Sequence, residues 1–175
     1  MNFINTQLNL HDLPRWETVE LQPIHRDYLR VLRIEWMIVS AVIIAIAALL
    51  IYLIPPLTAS YGWIVLTAGA FLLIGVYRFM VEKTFPYQAY AVRDKDVLHR
   101  RGWIVRSVKV CPFNRIQNCS VQSGPIERKH GLASLLIYTA GQGNADMKIP
   151  GLLQEEAERL RHFILEKIHT EDEGV

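Results

Sequence analysis

Between Trp36 and Tyr77 the chain carries no Asp, Glu, Lys, Arg or His, and a short break divides this run into two segments of membrane-spanning length. The first, Trp36 to Ile54, reads WMIVSAVIIAIAALLIYLI. As a helix it would be roughly 28 Å long, close to the hydrocarbon thickness of a bilayer. Pro55-Pro56 ends it, because a proline pushes the residue before it out of helical geometry. The second, about Ser60 to Tyr77, reads SYGWIVLTAGAFLLIGVY and stops at Arg78. Two such spans joined by a tight turn make a helical hairpin, and the chain is expected to be an integral membrane protein. A core hairpin of a soluble protein competes with this reading, but uncharged runs of such length are rare there. A cleaved signal peptide fits worse, because the apolar segment begins well into the chain and a second span follows it.

The flanks set an expected orientation. Arg26, Arg30 and Arg33 precede the first span, Arg78 and Lys83 follow the second, and the connecting turn holds no charge. The positive-inside rule then places both termini in the cytoplasm, which makes this a two-span inner-membrane protein. Trp36, Tyr52, Tyr61, Trp63 and Tyr77 lie near span ends, where amphipathic rings prefer the interface.

Charge is nearly balanced overall but unevenly placed. Between Arg93 and Lys129 the basic residues Arg93, Lys95, Arg100, Arg101, Arg106, Lys109, Arg115, Arg128 and Lys129 outnumber Asp94, Asp96 and Glu127. The C-terminal segment reverses this with Glu155, Glu156, Glu158, Glu171, Asp172 and Glu173. A basic face on a tethered domain is drawn to anionic headgroups at about 1 kcal/mol per Lys or Arg near the surface. Arg93, Arg100, Arg101, Arg106 and Lys109 are therefore candidate lipid or partner contacts, against the plainer reading of solvated surface charge. No nucleic-acid motif occurs, and the tether argues against such a partner.

In the N-terminal arm, the segment up to Pro14 is expected to be loosely ordered. Pro23 to Ile34 then places Ile24, Tyr28, Val31 and Leu32 near one helical face. That pattern suits an amphipathic helix on the interface, and equally a plain extension of the first span. After Lys83 the pattern changes from helical to alternating. Strands are expected at Tyr87 to Val92, Val97 to Arg101 and Trp103 to Cys111, with a polar turn at Arg93-Asp94-Lys95-Asp96 and a bulge or turn at Gly102. Extended segments follow at Ile116 to Gln122, Ile126 to His130, Ala133 to Thr139 and Met147 to Ile149. Their punctuation is Ser123-Gly124-Pro125, Ala140-Gly141-Gln142-Gly143-Asn144 and Pro150-Gly151. Short strands at this spacing indicate an antiparallel sandwich or barrel. Leu153, Ala157, Leu160, Ile164 and Ile168, widened by Phe163 and Leu165, then form the stripe of one closing amphipathic helix that packs on the sheet.

Strands followed by one such helix outline a pleckstrin-homology (PH)-like fold. Pro112, Arg115-Ile116-Gln117-Asn118, Gln122, Gly124-Pro125, Arg128, Gly131-Leu132-Ala133, Leu135, Thr139-Ala140-Gly141 and Ile149-Pro150-Gly151-Leu152 resemble the signature of the bacterial PH-like membrane proteins, in particular the YdbS-like members with two spans before one domain. The resemblance implies a membrane α-helical hairpin plus an α+β cytoplasmic domain, a PH-like antiparallel β-barrel or sandwich with a C-terminal α-helix. The organisation expected is an arm at 1–35, the hairpin at 36–80 and the PH-like domain at 81–175. The resemblance also implies a non-enzymatic module working beside a larger relative with several copies of the domain. Cys119 and Ser123 depart slightly from the usual pattern. Read physically, Gly124-Pro125 sets a turn in which Gly permits positive φ. Arg115, Gln117 and Asn118 either tie loops together or present a binding surface.

No catalytic constellation is evident. The six histidines are scattered, and His162 and His169 are seven apart, wrong for a helical zinc pair. Cys111 and Cys119 lack a paired CxxC, so neither a metal nor a cofactor is expected, and in a reducing compartment a disulfide is not expected either. Three functions follow in order. The first is a scaffold that meets another PH-like membrane protein or its own copy through strand edges. The second is recognition of lipid headgroups by the basic residues. The third, an enzyme or transport component, is disfavoured because neither span carries an ionisable residue.

Overall fold

The computed structural model describes residues 19–54, 61–139 and 145–172. The expected loose start up to Pro14, the Pro55-Pro56 turn and the Ala140 to Asn144 turn lie outside these residues. The two apolar runs form long helices, α1 (Tyr28–Leu53) and α2 (Gly62–Thr84), packed side by side. Their large side chains point outward, with Val65 and Phe71 each 72% exposed. A soluble core hairpin would bury them; both helices are instead exposed, and long and apolar enough to cross a membrane.

α1 is 26 residues long, or roughly 39 Å, and overshoots the hydrocarbon. The excess lies at the domain end, where one continuous helix runs through Tyr28 to Trp36 instead of a separate helix on the interface. The arm also adds a strand, β1 (Gln22–Pro23), which pairs with β2 (Ala89–Val92).

The domain is two antiparallel sheets and a helix. The first sheet has the order β1-β2-β3-β4, with β3 at Asp96–Arg101 and β4 at Ser107–Pro112. The second has β5 (Ile116–Gln122), β6 (Leu132–Thr139) and β7 (Met147–Leu153). The sheets pack as a sandwich and do not close into a barrel. Three segments differ from their expected form. β4 starts at Ser107, because Trp103 to Arg106 form a loop away from the ladder. Ile126 to His130 is not extended, because Pro125–Lys129 forms a short helix, α3. β7 does not stop at Pro150-Gly151 but runs through them, pairing Leu152 with Ala133 and Leu153 with Leu132.

α4 (Gln154–Asp172) closes the sandwich. Ala157 and Ile164 are fully buried, Leu160, Leu165 and Ile168 pack around them, and Phe163 meets the buried Phe113 edge-on at 6.1 Å. Full burial of Ile164 contributes roughly 1.5–3 kcal/mol. β6 is mostly apolar because both of its faces are covered, with Ser134 as a buried polar side chain on it. Ala133, Leu135 and Ile137 face the sandwich core, whereas Leu132 joins a second cluster with Ile24, Tyr28 and Val31 of the arm and α1.

Candidate functional site: the hairpin–domain joint and its basic rim

The second cluster is where the hairpin meets the domain, and the motif residues Gly124, Pro125, Leu132 and Gly151 lie at it. Leu132 packs on Ile24, Tyr28 and Val31, with Leu32, Phe85 and Ile126 at its border. From β7, the Gly151 carbonyl accepts the His25 N–H at 3.0 Å. Gly151 has φ +67°, and a Cβ there would lie 2.6 Å from Tyr28 Cγ and 2.7 Å from Tyr28 Cβ, in addition to meeting Ile24. Only glycine allows the start of α1 to lie this close to the sheet.

α3 forms the other wall. Gly124 does not supply positive φ, as its sequence setting suggests; at φ −67° it is the N-cap of α3, with Pro125 at the first helical position. Glu127 reaches back so that its Oε2 accepts the Gly124 N–H at 2.9 Å, while its Oε1 accepts the hydroxyl of buried Ser134 at 2.9 Å. Ser123 Oγ donates to the Leu132 carbonyl at 2.7 Å, and Arg128 donates to the Ser123 carbonyl at 3.4 Å. Sequence reasoning misses Glu127, Ser134 and Tyr28 as site residues and has Gly151 only as part of the motif. The Gly-Pro-x-Glu spacing of Gly124 to Glu127 carries a helix-start signal that points to Glu127. A cleft of about 330 Å³ opens beside the joint, lined by Tyr28, Glu35, Gln122, Glu127, Ser134 and Lys148 among others. Burial raises the Tyr28 phenol above its usual range, and the charges of Glu35 and Glu127 add to this, so the phenol stays neutral.

At the same level the two helices are clasped. Glu82 Oε1 takes Arg78 at 2.9 Å and Arg33 at 3.4 Å, Arg78 lies 4.9 Å from the Trp36 ring centre, and Trp36 Nε1 donates to the Ile74 carbonyl at 3.1 Å.

The five basic candidates occupy different places. Arg93 sits at the β2–β3 turn, bound bidentately by Asp96 at 2.5 and 2.6 Å. Arg100 and Arg101 are adjacent on β3 and so point to opposite faces of the sheet, opposite Val108 and Ser107 respectively. Lys109 lies across from His99 and donates to the Asp146 carbonyl at 2.8 Å. Arg101 and Arg106 are exposed and bracket the β3–β4 loop at the hairpin end of the domain. Between these charges His99 is buried, and burial, followed by Arg101 and Lys109, lowers its pKa to about 4. His99 is therefore neutral near pH 7.

The rest of the motif lies elsewhere. Ile116 is in the core. Gln117 and Asn118 are exposed where the β5–β6 register shifts between Ile116 and Asn118. Arg115 is exposed on the turn before β5 and lines a groove of about 280 Å³ with Lys109, Val110, Asp146 and Met147 among others. Cys119 is buried with its Sγ near the Arg161 carbonyl, and Cys111 is buried as well. Burial raises both thiols.

The profile of the bacterial PH domain matches residues 28–168, a stretch that takes in both spans and the sandwich from β2 onward. This chain belongs to the bacterial PH domain family. The UPF0699 transmembrane protein YdbS of Bacillus subtilis (strain 168) is 32% identical over 156 residues, covering 85% of this chain and 93% of that relative. No solved structure matches. Two transmembrane helices followed by one PH-like domain thus describe this bacterial PH protein, and Tyr28, Val31, Leu132 and Gly151 of the joint fall inside the matched region.

Proposed function

We propose that this bacterial PH protein is a non-enzymatic scaffold of the inner membrane, with both termini cytoplasmic, that receives a strand from another PH-like membrane protein or from a second copy of itself. The observation that carries the reading is the open edge of β4. Among the described residues β4 pairs with β3 alone, and Lys109 and Val110 on it are exposed beside the groove that Arg115 lines. Unpaired strand edges are templates for strand addition. The joint supports the same reading, because a domain fixed to its hairpin presents that edge at a set height. Arginines flank both spans while the segment between them is uncharged, which supports the orientation.

The test places a photo-crosslinking side chain at Val110 in the full-length protein in cells, with Lys129 as the control position. A discrete adduct at Val110 but not at Lys129, with a partner co-purifying at fixed stoichiometry in mild detergent, is the expected result. A monomer with no adduct at Val110 would refute it.

A second reading, recognition of anionic headgroups, is favoured by exposed Arg101 and Arg106 at the hairpin end of the domain. Its test uses the full chain, because Tyr28 and Val31 complete the packing around Leu132. Arg101→Ala combined with Arg106→Ala should abolish enrichment of anionic lipid around the protein in mixed bilayers; unchanged enrichment would remove this reading.

A further inference from the structure

The loop between β3 and β4 combines features that a solvated turn does not need. Its residues Gly102 to Arg106 read GWIVR, and Ile104 and Val105 are 67% and 79% exposed. It is also tied to the base of the hairpin at both ends. The Trp103 ring meets Phe79 of α2 edge-on, with centroids 5.6 Å apart, and the Arg106 guanidinium lies 5.8 Å from the ring centre of Tyr87, in the turn just after α2. Phe79 follows Arg78, which covers Trp36 at the start of the other span, so Trp103 sits at the level where the uncharged segments end. The loop is tightly folded, since a side chain at Gly102 would run into the Val105 carbonyl.

Two bare aliphatic side chains at the membrane border, next to a tryptophan and between two exposed arginines, match what an interfacial anchor requires: apolar groups for the acyl boundary, an amphipathic ring for the headgroup level and cations for anionic lipid. We propose that the β3–β4 loop sinks Ile104 and Val105 into the leaflet next to the domain, with Trp103 and Phe79 fixing its depth and Arg101 and Arg106 holding headgroups. The occupant of this apolar tip is lipid. Its distance from the border is set by α2 itself, and the flanking charges complement an anionic surface. This deepens the headgroup reading, on which only the two arginines rest, and it is independent of strand addition at β4. The loop thereby gives the domain a third attachment to the bilayer besides the two spans.

The full-length protein is reconstituted in bilayers with an environment-sensitive fluorophore on Val105→Cys. The same fluorophore on Asp94→Cys serves as control, at the far end of β3 and roughly 20 Å away by strand rise. The label at 105 should emit as in an apolar medium and be quenched several-fold more strongly than at 94 by lipids carrying a quencher on the acyl chain. Ile104→Ser should shift that emission towards water. Replacing anionic lipid with zwitterionic lipid, or Arg101 and Arg106 with Ala, should weaken the quenching; if only this arm fails, the aliphatic insertion stands and the arginine part is overturned. Water-like emission with equal quenching at 105 and 94 would overturn the whole proposal. Blue-shifted emission without quenching by lipid would do so too, because it would put protein on the loop.

Discussion

Replacing Gly151 by alanine tests the joint directly. The new Cβ would fall 2.6 and 2.7 Å from Tyr28 Cγ and Cβ, and Tyr28 belongs to a helix that cannot retreat without breaking its contacts with Leu132. Two costs add up: about 1–2 kcal/mol for holding an L-residue in the left-handed region, and about 1–3 kcal/mol for overpacking. Gly131 provides the matching control. It has φ +66°, but a Cβ added there would meet nothing within 4 Å, so Gly131→Ala carries only the first cost. For a domain of about 100 residues each kcal/mol moves the melting midpoint by roughly 4–8 °C. Gly131→Ala should therefore lower it by several degrees, and Gly151→Ala by on the order of 10 °C or more, measured by circular dichroism of the full-length protein in one detergent. Limited proteolysis should also cut Gly151→Ala near residues 19–27, where the arm is released, and leave Gly131→Ala intact there. Equal midpoints and equal cleavage for the two variants would show that the joint is not tightly packed, and the account of α1 docking would be wrong.

Other expectations follow from the same contacts. His99 titrates near 6.5 in an unfolded chain but at about 4 when buried, so the unfolded state binds the extra proton between these values. Stability should be full above about pH 6.5 and fall towards pH 4 by on the order of 3 kcal/mol; His99→Phe should flatten that part of the melting profile, and an unchanged slope would contradict the assignment. Ser134→Ala leaves one oxygen of Glu127 without its buried donor and should cost about 1–3 kcal/mol in denaturant unfolding, against under about 1 kcal/mol for the partly exposed ion pairs lost in Glu82→Gln. Cys111 and Cys119, buried and raised in pKa, should resist a thiol reagent in the native protein and react on unfolding; fast native labelling would argue against the core as described.

The hairpin and the sandwich are legible in the sequence because each leaves a continuous local trace: an uncharged run between Trp36 and Tyr77, a mostly apolar run bounded by turn residues in Ala133 to Thr139, and the Ala157–Leu160–Ile164 stripe. The joint is not, because its parts lie far apart in the chain, and residues such as Gly151 and Glu127 acquire their meaning only when Tyr28 and Ser134 stand beside them. The stretch from Ile126 to His130 reads as extended because Gly124-Pro125 suggests a turn, whereas a glycine N-cap with proline behind it also begins a helix. The arm from Ile24 to Leu32 is ambiguous for a different reason: an apolar helical stripe looks the same whether it meets lipid or protein. The basic candidates share a charge but not a location, since adjacent positions on β3 face opposite ways.

The sandwich takes material from both sides of the hairpin, with β1, Ile24 and Tyr28 entering before the first span and the remaining strands after the second. During synthesis the early residues must therefore wait for Leu132 and Gly151 to emerge on their own side of the bilayer. A chain whose first span entered backwards would strand Ile24 and Tyr28 on the wrong side, leaving a gap in the sheet and an unfilled hollow against β6. Correct threading is thus a condition for a finished fold.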